Sequence, residues 1–344
     1  MVGIKQKPGK RVSSSTVLRR GFLAGAVATG LLPVAARSQR ITASATLQKP
    51  DPTQTTADLA AKADAQAHLT VAVMINGAGP YHFVVDTGAE RSVVADNVAA
   101  ALNLPQGKSI LVDGISKQMA APTVTLGTLA FGPFSRSGLV VPVLPRAVLY
   151  ADGYLGLDAI DDTRTTFDFR HDVVRIEEPK DGFAPPEPGD ELARVKVKGK
   201  GGRLRVVDCL IDSVAATAFI DTGAEVSVGN PILHEALSSR NKVNLDLGTI
   251  TLSGVTGGEI EGTLINVTRI GLQDLAFTNG TLAIADVPDF DIWNLRFRPA
   301  VLIGMDYLRQ FAAVTVDYRA KEIRFEVSSA LPRPSPGVEI GALA

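Results

Sequence analysis

The chain has 344 residues, a formal net charge of -1, 45% hydrophobic and 21% charged residues, and 32 Gly with 20 Pro. That is enough chain for two turn-rich globular domains, and the balanced charge gives no global attraction to nucleic acid or acidic lipid. One cysteine, Cys209, excludes an intramolecular disulfide, and the four histidines, His68, His82, His171 and His234, have no zinc-site spacing; neither a metal nor a cofactor is expected.

The first fifty residues contain no acidic side chain, and Lys5, Lys7, Lys10, Arg11, Arg19 and Arg20 precede the apolar stretch "GFLAGAVATGLLPVA". This is the layout of an export signal. The apolar run is short of the roughly 20 residues that a spanning helix needs, so membrane contact is expected only through this segment, if it is retained. "LRRGFLAG" resembles the twin-arginine export signal of bacteria, which implies transport of the folded protein and a periplasmic location. Small residues offer cleavage points after Ala36 and after Ala45, and residues 1–45 are read as signal peptide and spacer. Residues 46–67, polar and Ala-rich with Pro50 and Pro52, read as a linker ending in a short helix over "ADLAAKADAQA".

From His68 the pattern changes to strands. "LTVAVMI", a turn "NGAGP" and "YHFVVD" form a hairpin by alternation and turn chemistry. It runs into "VVDTGAERSVV", Val84 to Val94, and nearly the same phrase returns as "FIDTGAEVSVG", Phe219 to Gly229, 135 residues later. Three further landmarks recur in the same order: "LVDGISKQ" with "TLSGVTGG", "YLGLDAI" with "LIGMDYL", and "DFRHDVVRIE" with "DYRAKEIRFE". The chain is therefore read as a duplicated domain, 68–179 and 193–328. The Pro-rich, charged stretch 180–192 links the copies, and residues 329–344 read as a disordered tail. The basic run "KVKGKGGRLR" fits a solvated edge hairpin better than a phosphate patch, so no nucleic-acid partner is expected.

A single Asp-Thr-Gly is most often a turn. Two copies, each ending an apolar strand and each followed by Ala and Glu, carry more. A carboxylate at the end of a buried strand is desolvated and needs a partner or a proton. If the copies pack about a pseudo-twofold axis, Asp86 and Asp221 come together and share one proton. The ionised member can then activate a water while the protonated member polarises a carbonyl. Gly88 and Gly223 allow a sharp turn and offer amides to the carboxylates, and the Thr87 and Thr222 hydroxyls can bond across to the opposite loop. Ala89 and Ala224 add no hydroxyl donor, which favours raised carboxylate pKa values and activity at mildly acidic to near-neutral pH. The sequence holds no G-x-S-x-G elbow, H-E-x-x-H, Walker loop or dinucleotide fingerprint.

"FVVDTGAERS" with "YLGLDAI", and "FIDTGAEVS" with "LIGMDYL", resemble the retropepsin-like aspartic proteases in a tandem bacterial form. The resemblance implies an all-β fold of two homologous barrels about a pseudo-twofold axis, and peptide-bond hydrolysis with Asp86 and Asp221 catalytic. It also implies that Thr87 and Thr222 lock the loops, and that Leu155, Gly156, Ile303 and Gly304 support them from behind. Asp158 and Asp306 are expected to brace turns. The hairpins around Gly114 and Ile115, and around Gly254 and Val255, match the family's flaps, and the glycines of the latter predict that it is the more mobile. With both halves in one chain a monomer is expected, acting on a protein or peptide substrate. The rival readings are a peptide-binding protein on the same scaffold and a structural envelope protein. Phe83, Val84, Val85, Phe219 and Ile220 read as core, Cys209 as a packed small hydrophobe, and Trp293 as either a subsite border or, by preference, core.

Overall fold

The computed structural model describes residues 3–5, 56–60, 62–63, 69–199, 203–240, 246–328 and 337–340. The expected cleavage points and most of the 46–67 segment lie outside the described residues.

Period-two alternation builds two barrels. In Leu69–Ile75 the side chains of Val71, Val73 and Ile75 are fully buried while Ala72 and Met74 are less so. Six strands close the first barrel in the order Leu69–Ile75, Ala78–Val85, Gly153–Leu155, Val93–Ala95, Phe134–Leu144 and Thr123–Phe131, the last pairing back onto the first. The second barrel has the same order: Arg205–Ile211, Val214–Ile220, Ala300–Ile303, Val228–Gly229, Leu275–Ile284 and Glu259–Leu272, again closed on itself. In each, one short strand runs parallel to the strand that ends in Asp-Thr-Gly and antiparallel to the one that follows it. The fold is all-β with two homologous barrels.

A six-stranded sheet joins the halves, in the order Glu191–Lys196, Glu322–Val327, Ala313–Asp317, Arg164–Asp168, Val173–Glu177 and Thr56–Ala60. Its centre is the antiparallel pairing of Arg164–Asp168 with Ala313–Asp317, whose middle residues, Thr166 and Thr315, bring their hydroxyls within 2.8 Å. The sheet shows where the sequence reading of the flanks differs from the structure. "TADLA" is a strand on Val173–Glu177, not the start of a helix. It is the counterpart of Glu191–Lys196 on Glu322–Val327. Ala and Leu favour helix only weakly, and an open strand edge overrides that preference. Likewise the tail contributes a strand, Gly337–Ile340, paired with the Leu275–Thr278 end of the second barrel. Of residues 1–45, Gly3–Lys5 is described, antiparallel to Thr251–Ser253.

The joining sheet contains a buried ion pair. Arg164 Nε donates to Asp317 Oδ2 at 2.7 Å, with the two side chains 5% and 1% exposed. The same guanidinium reaches Glu177 Oε1 at 3.2 Å and the Lys180 carbonyl at 2.7 Å. The guanidinium groups of Arg164 and Arg324 also stack on Phe183, a linker residue, at 3.7 and 3.1 Å from its ring centre. Removing one member of a buried pair leaves the other charge uncompensated, typically at a cost of about 3–5 kcal/mol. Arg164→Ala should therefore lower unfolding free energy by about that much in a urea titration; an unchanged midpoint would show that the pair does not hold the halves together.

Candidate active site

Each Asp-Thr-Gly loop leaves a barrel strand and turns back under a supporting strand. The Asp86 N–H donates to the Leu155 carbonyl and the Asp221 N–H to the Ile303 carbonyl, both at 2.9 Å. Beyond the turn, Leu157 N–H donates to the Ala89 carbonyl at 2.9 Å and Met305 N–H to the Ala224 carbonyl at 2.7 Å. The serine six positions after each aspartate fastens the same support. Ser92 N–H and Oγ donate to Asp158 Oδ1 at 2.7 and 2.6 Å, and Ser227 Oγ donates to Asp306 Oδ1 at 2.7 Å. Asp158 and Asp306 thus brace the loops and stand apart from the cavity chemistry. Burial pushes Asp306 up to about 6 against the Ser227 donors.

The two loops meet face to face. Thr87 Oγ1 donates to the Ile220 carbonyl at 3.0 Å and Thr222 Oγ1 to the Val85 carbonyl at 2.7 Å. Each hydroxyl also accepts the backbone N–H of the opposite threonine at 3.1 Å. Four hydrogen bonds therefore cross between the halves within two residues, all of them buried. Asp86 and Asp221 sit immediately beyond, 1% and 3% exposed. The glycines have a steric reason that turn chemistry alone does not supply. A β-carbon on Gly88 would lie 2.6 Å from Asp221 Cγ, and one on Gly223 would lie 2.5 Å from Asp86 Cγ. Each carboxylate occupies the space that the other half's glycine leaves open.

Backbone amides hold the carboxylates. Gly88 and Ala89 N–H donate to Asp86 Oδ1 at 2.8 and 2.9 Å, and Gly223 N–H donates to Asp221 Oδ1 at 2.8 Å. Ala224 N–H is turned instead to the Asp221 carbonyl, at 3.4 Å. Burial, and then the Asp221 charge, push Asp86 up to about 7 in spite of its two amide donors.

The carboxylates form the floor of a cavity of about 230 Å³. Its roof is made by the hairpin of Ile110–Asp113 and Gln118–Ala121 and by the turn between Asp246–Ser253 and Glu259–Leu272. Gly114, Ile115 and Val255 line the cavity, while Gly254 stands behind Ile115, where a β-carbon would fall 2.6 Å from Ile115 Cγ2. The two tips interlock. Ile115 is 2% exposed and inserted in the apolar cluster of the second half around Phe219, Leu252 and Phe290, and Thr256 Oγ1 donates to the Lys117 carbonyl at 3.1 Å.

Several cavity residues had no sequence signal of their own. Asp113, Asp289 and Arg203 line it, and Arg203 forms an ion pair with Glu90 across the halves. Trp293 both lines the cavity and packs on the core, stacked on Phe219 with ring centres 4.1 Å apart. The aligned "LPRAVL" and "VPDFDI" stretches could have drawn attention to Asp289, since each carries a proline before a short helix. Cys209 is buried in a strand and its thiol is pushed up to about 12 by burial, which keeps it un-ionised. Among the described residues, no three His, Cys, Asp or Glu side chains converge as a metal site.

Residues 71–159 match the aspartyl protease family model. The matched segment carries Asp86, Thr87 and Gly88 together with the supporting Leu155 and Gly156, that is, one complete half of the site. The second half, with Asp221, lies outside the match and is tied to the first by the shared barrel order and the crossed threonine bonds. No curated protein matches the chain.

Two outcomes follow from this geometry. Replacing Thr87 by Val orphans the Thr222 N–H and the Ile220 carbonyl, both buried, at about 1–3 kcal/mol each, so Thr87→Val should lose ~2–6 kcal/mol in chemical denaturation; a loss below about 0.5 kcal/mol would mean that water replaces the hydroxyl. The second concerns pH. Asp86 has a folded-state pKa above its unfolded value, so the proton it retains supports folding fully below about pH 4, and that support is lost as pH rises towards about 7. Asp86→Asn should therefore raise the thermal midpoint relative to wild type at pH 8 but not at pH 4. An equal difference at both pH values would show that the carboxyl is not held protonated.

Proposed function

We propose that the protein is an aspartic endopeptidase that hydrolyses peptide bonds in extended polypeptide with a water held between Asp86 and Asp221. The observation that carries this reading is the packing of two buried carboxylates against each other's glycines at the floor of a roofed cavity. The match of residues 71–159 to the aspartyl protease family supports it.

In this reading the dyad carries one proton, and burial with the Asp221 charge favours its residence on Asp86. Asp221 accepts a proton from the water as the water oxygen adds to the scissile carbonyl carbon, while Asp86 donates its proton to the carbonyl oxygen. Collapse of the resulting diol breaks the C–N bond. Asp221 then gives its proton to the leaving amine, and Asp86 recovers one from the hydroxyl that becomes the new carboxyl. Atoms and protons balance with water as the only co-reactant. The crossed threonine bonds hold the carboxylates at fixed separation, so little reorganisation accompanies the proton transfers.

Among the described residues the roof hairpin of Ile110–Asp113 and Gln118–Ala121 pairs with no other strand, and it offers its edges to an extended substrate. Since one chain supplies both halves, it acts as a monomer. The basic and apolar leader, through its likeness to a twin-arginine signal, supports activity in the cell envelope.

The test is cleavage of a peptide library by the purified protein from pH 3 to 8, wild type beside Asp86→Asn and Asp221→Asn, with products identified by mass spectrometry. Each substitution should reduce turnover by about 10²–10⁴-fold, and wild-type activity should decline above about pH 7 as Asp86 loses its proton. Binding of peptides without cleavage by a folded wild type would transfer support to the peptide-binding reading.

A further inference from the structure

Both halves place a short helix after a proline, beyond the strand that pairs with Val93–Ala95 in the first barrel and with Val228–Gly229 in the second. Pro145 leads into Arg146–Leu149, and Pro288 leads into Asp289–Ile292. The two helices open with opposite charges. Arg146 is turned to Asp152, with Nε 3.3 Å from Oδ1. Asp289 instead lines the cavity above Asp86 and Asp221. The residue is half-buried, and its carboxylate accepts no hydrogen bond from any described residue. Burial, then the charges of Asp221 and Asp113, push its pKa up, against the opposing charges of the chain's amino terminus and of Arg203.

Among the described residues, no cationic side chain is paired with Asp289. The cavity is lined by five carboxylates, Asp86, Asp221, Glu90, Asp113 and Asp289, and by two guanidinium groups, Arg91 and Arg203. Arg203 is committed to Glu90, and Arg91 reaches out to the Val140 carbonyl at 3.5 Å. Asp113, on the first roof hairpin, accepts from Gln118 Nε2 at 2.6 Å. A carboxylate desolvated among like charges is stabilised by a cation brought to it. One turn along the helix, Ile292 and Trp293 form an apolar wall, with Trp293 fixed by its stack on Phe219. A carboxylate beside an aromatic face suits a long side chain with an apolar stem and a cationic end.

We propose that Asp289 is the specificity-determining carboxylate of a substrate subsite that accepts a lysine or arginine side chain, the stem lying along Trp293 and the charge meeting Asp289. The subsite deepens the endopeptidase reading and rests on it. It is built by the second half alone, because the corresponding helix of the first half opens with an already paired arginine.

The experiment uses the full chain and a panel of peptides that differ at a single position between lysine, norleucine and glutamate, scanned across the cleavage site. At one position the wild type should cleave the lysine peptide about tenfold faster than the norleucine peptide, the scale of one charge-assisted hydrogen bond. That ratio should fall towards one in Asp289→Asn, and glutamate should overtake lysine in Asp289→Lys. A wild type with no lysine preference at any position, or a preference that survives Asp289→Asn, overturns the proposal. If the wild type cleaves none of the peptides, the endopeptidase reading fails separately. The same panel is then read by fluorescence anisotropy as binding: a lysine preference lost in Asp289→Asn supports the subsite, and equal binding of all three peptides overturns it.

Discussion

Everything in the site depends on two threonine hydroxyls that each satisfy the other half's backbone. Thr87 and Thr222 donate to the carbonyls of Ile220 and Val85 and accept each other's amide hydrogens. The two Asp-Thr-Gly loops therefore cannot separate without stranding buried donors and acceptors, which is costly in a dry interface. The bonds fix where Asp86 and Asp221 stand, and the bare glycines allow the carboxylates to close on each other. A pair of like charges would ordinarily drive such an interface apart. In the proposed dyad one shared proton would remove most of the repulsion, and amides from Gly88, Ala89 and Gly223 donate to the carboxylates.

The rest of the molecule carries this constraint outward. Behind each loop, Ser92 with Asp158 and Ser227 with Asp306 pin the supporting turn, so the carboxylates rest on rigid barrels. At the joining sheet, pairing about Thr166 and Thr315 repeats the two-sided arrangement of the threonines near the dyad. The symmetry is kept in the backbone and broken in the side chains, both in the joining sheet and around the cavity. Arg164 has its partner Asp317 in the sheet, Ile115 enters the second half's apolar cluster, and Asp289 stands where the first half has Arg146. An asymmetric cavity over a symmetric floor is what a single duplicated chain can evolve and an identical pair of subunits cannot.

Much of this was legible in the sequence because duplication makes weak signals strong. One "DTGA" is a turn, but two at the ends of apolar strands, each with a later hydrophobic-hydrophobic-Gly element, specify two similar barrels and loops that meet. What the sequence left open was decided by tertiary contact. "TADLA" carries helix-forming residues yet pairs as a strand, since only the exposed edge of Val173–Glu177 distinguishes the two outcomes. Gly337–Ile340 lies in a segment whose prolines suggested disorder, and it pairs with a barrel edge that no local pattern reveals. Asp289 and Asp113 correspond to Arg146 and Ser253 in the other copy, so the repeat does not mark them as carboxylates. Trp293 read as core or subsite because it serves both surfaces.

The central claim is that Asp86 and Asp221 form one proton-sharing unit across the two halves. The most direct measurement is a titration of the aspartate side-chain carboxyl carbons by NMR, in the wild type and in Asp221→Asn. The account predicts that Asp86 holds its proton to about pH 7 in the wild type and that its midpoint falls clearly in Asp221→Asn, where the neighbouring charge is gone. An Asp86 midpoint that is the same in both proteins would contradict the account, because the two carboxyls would then be titrating independently.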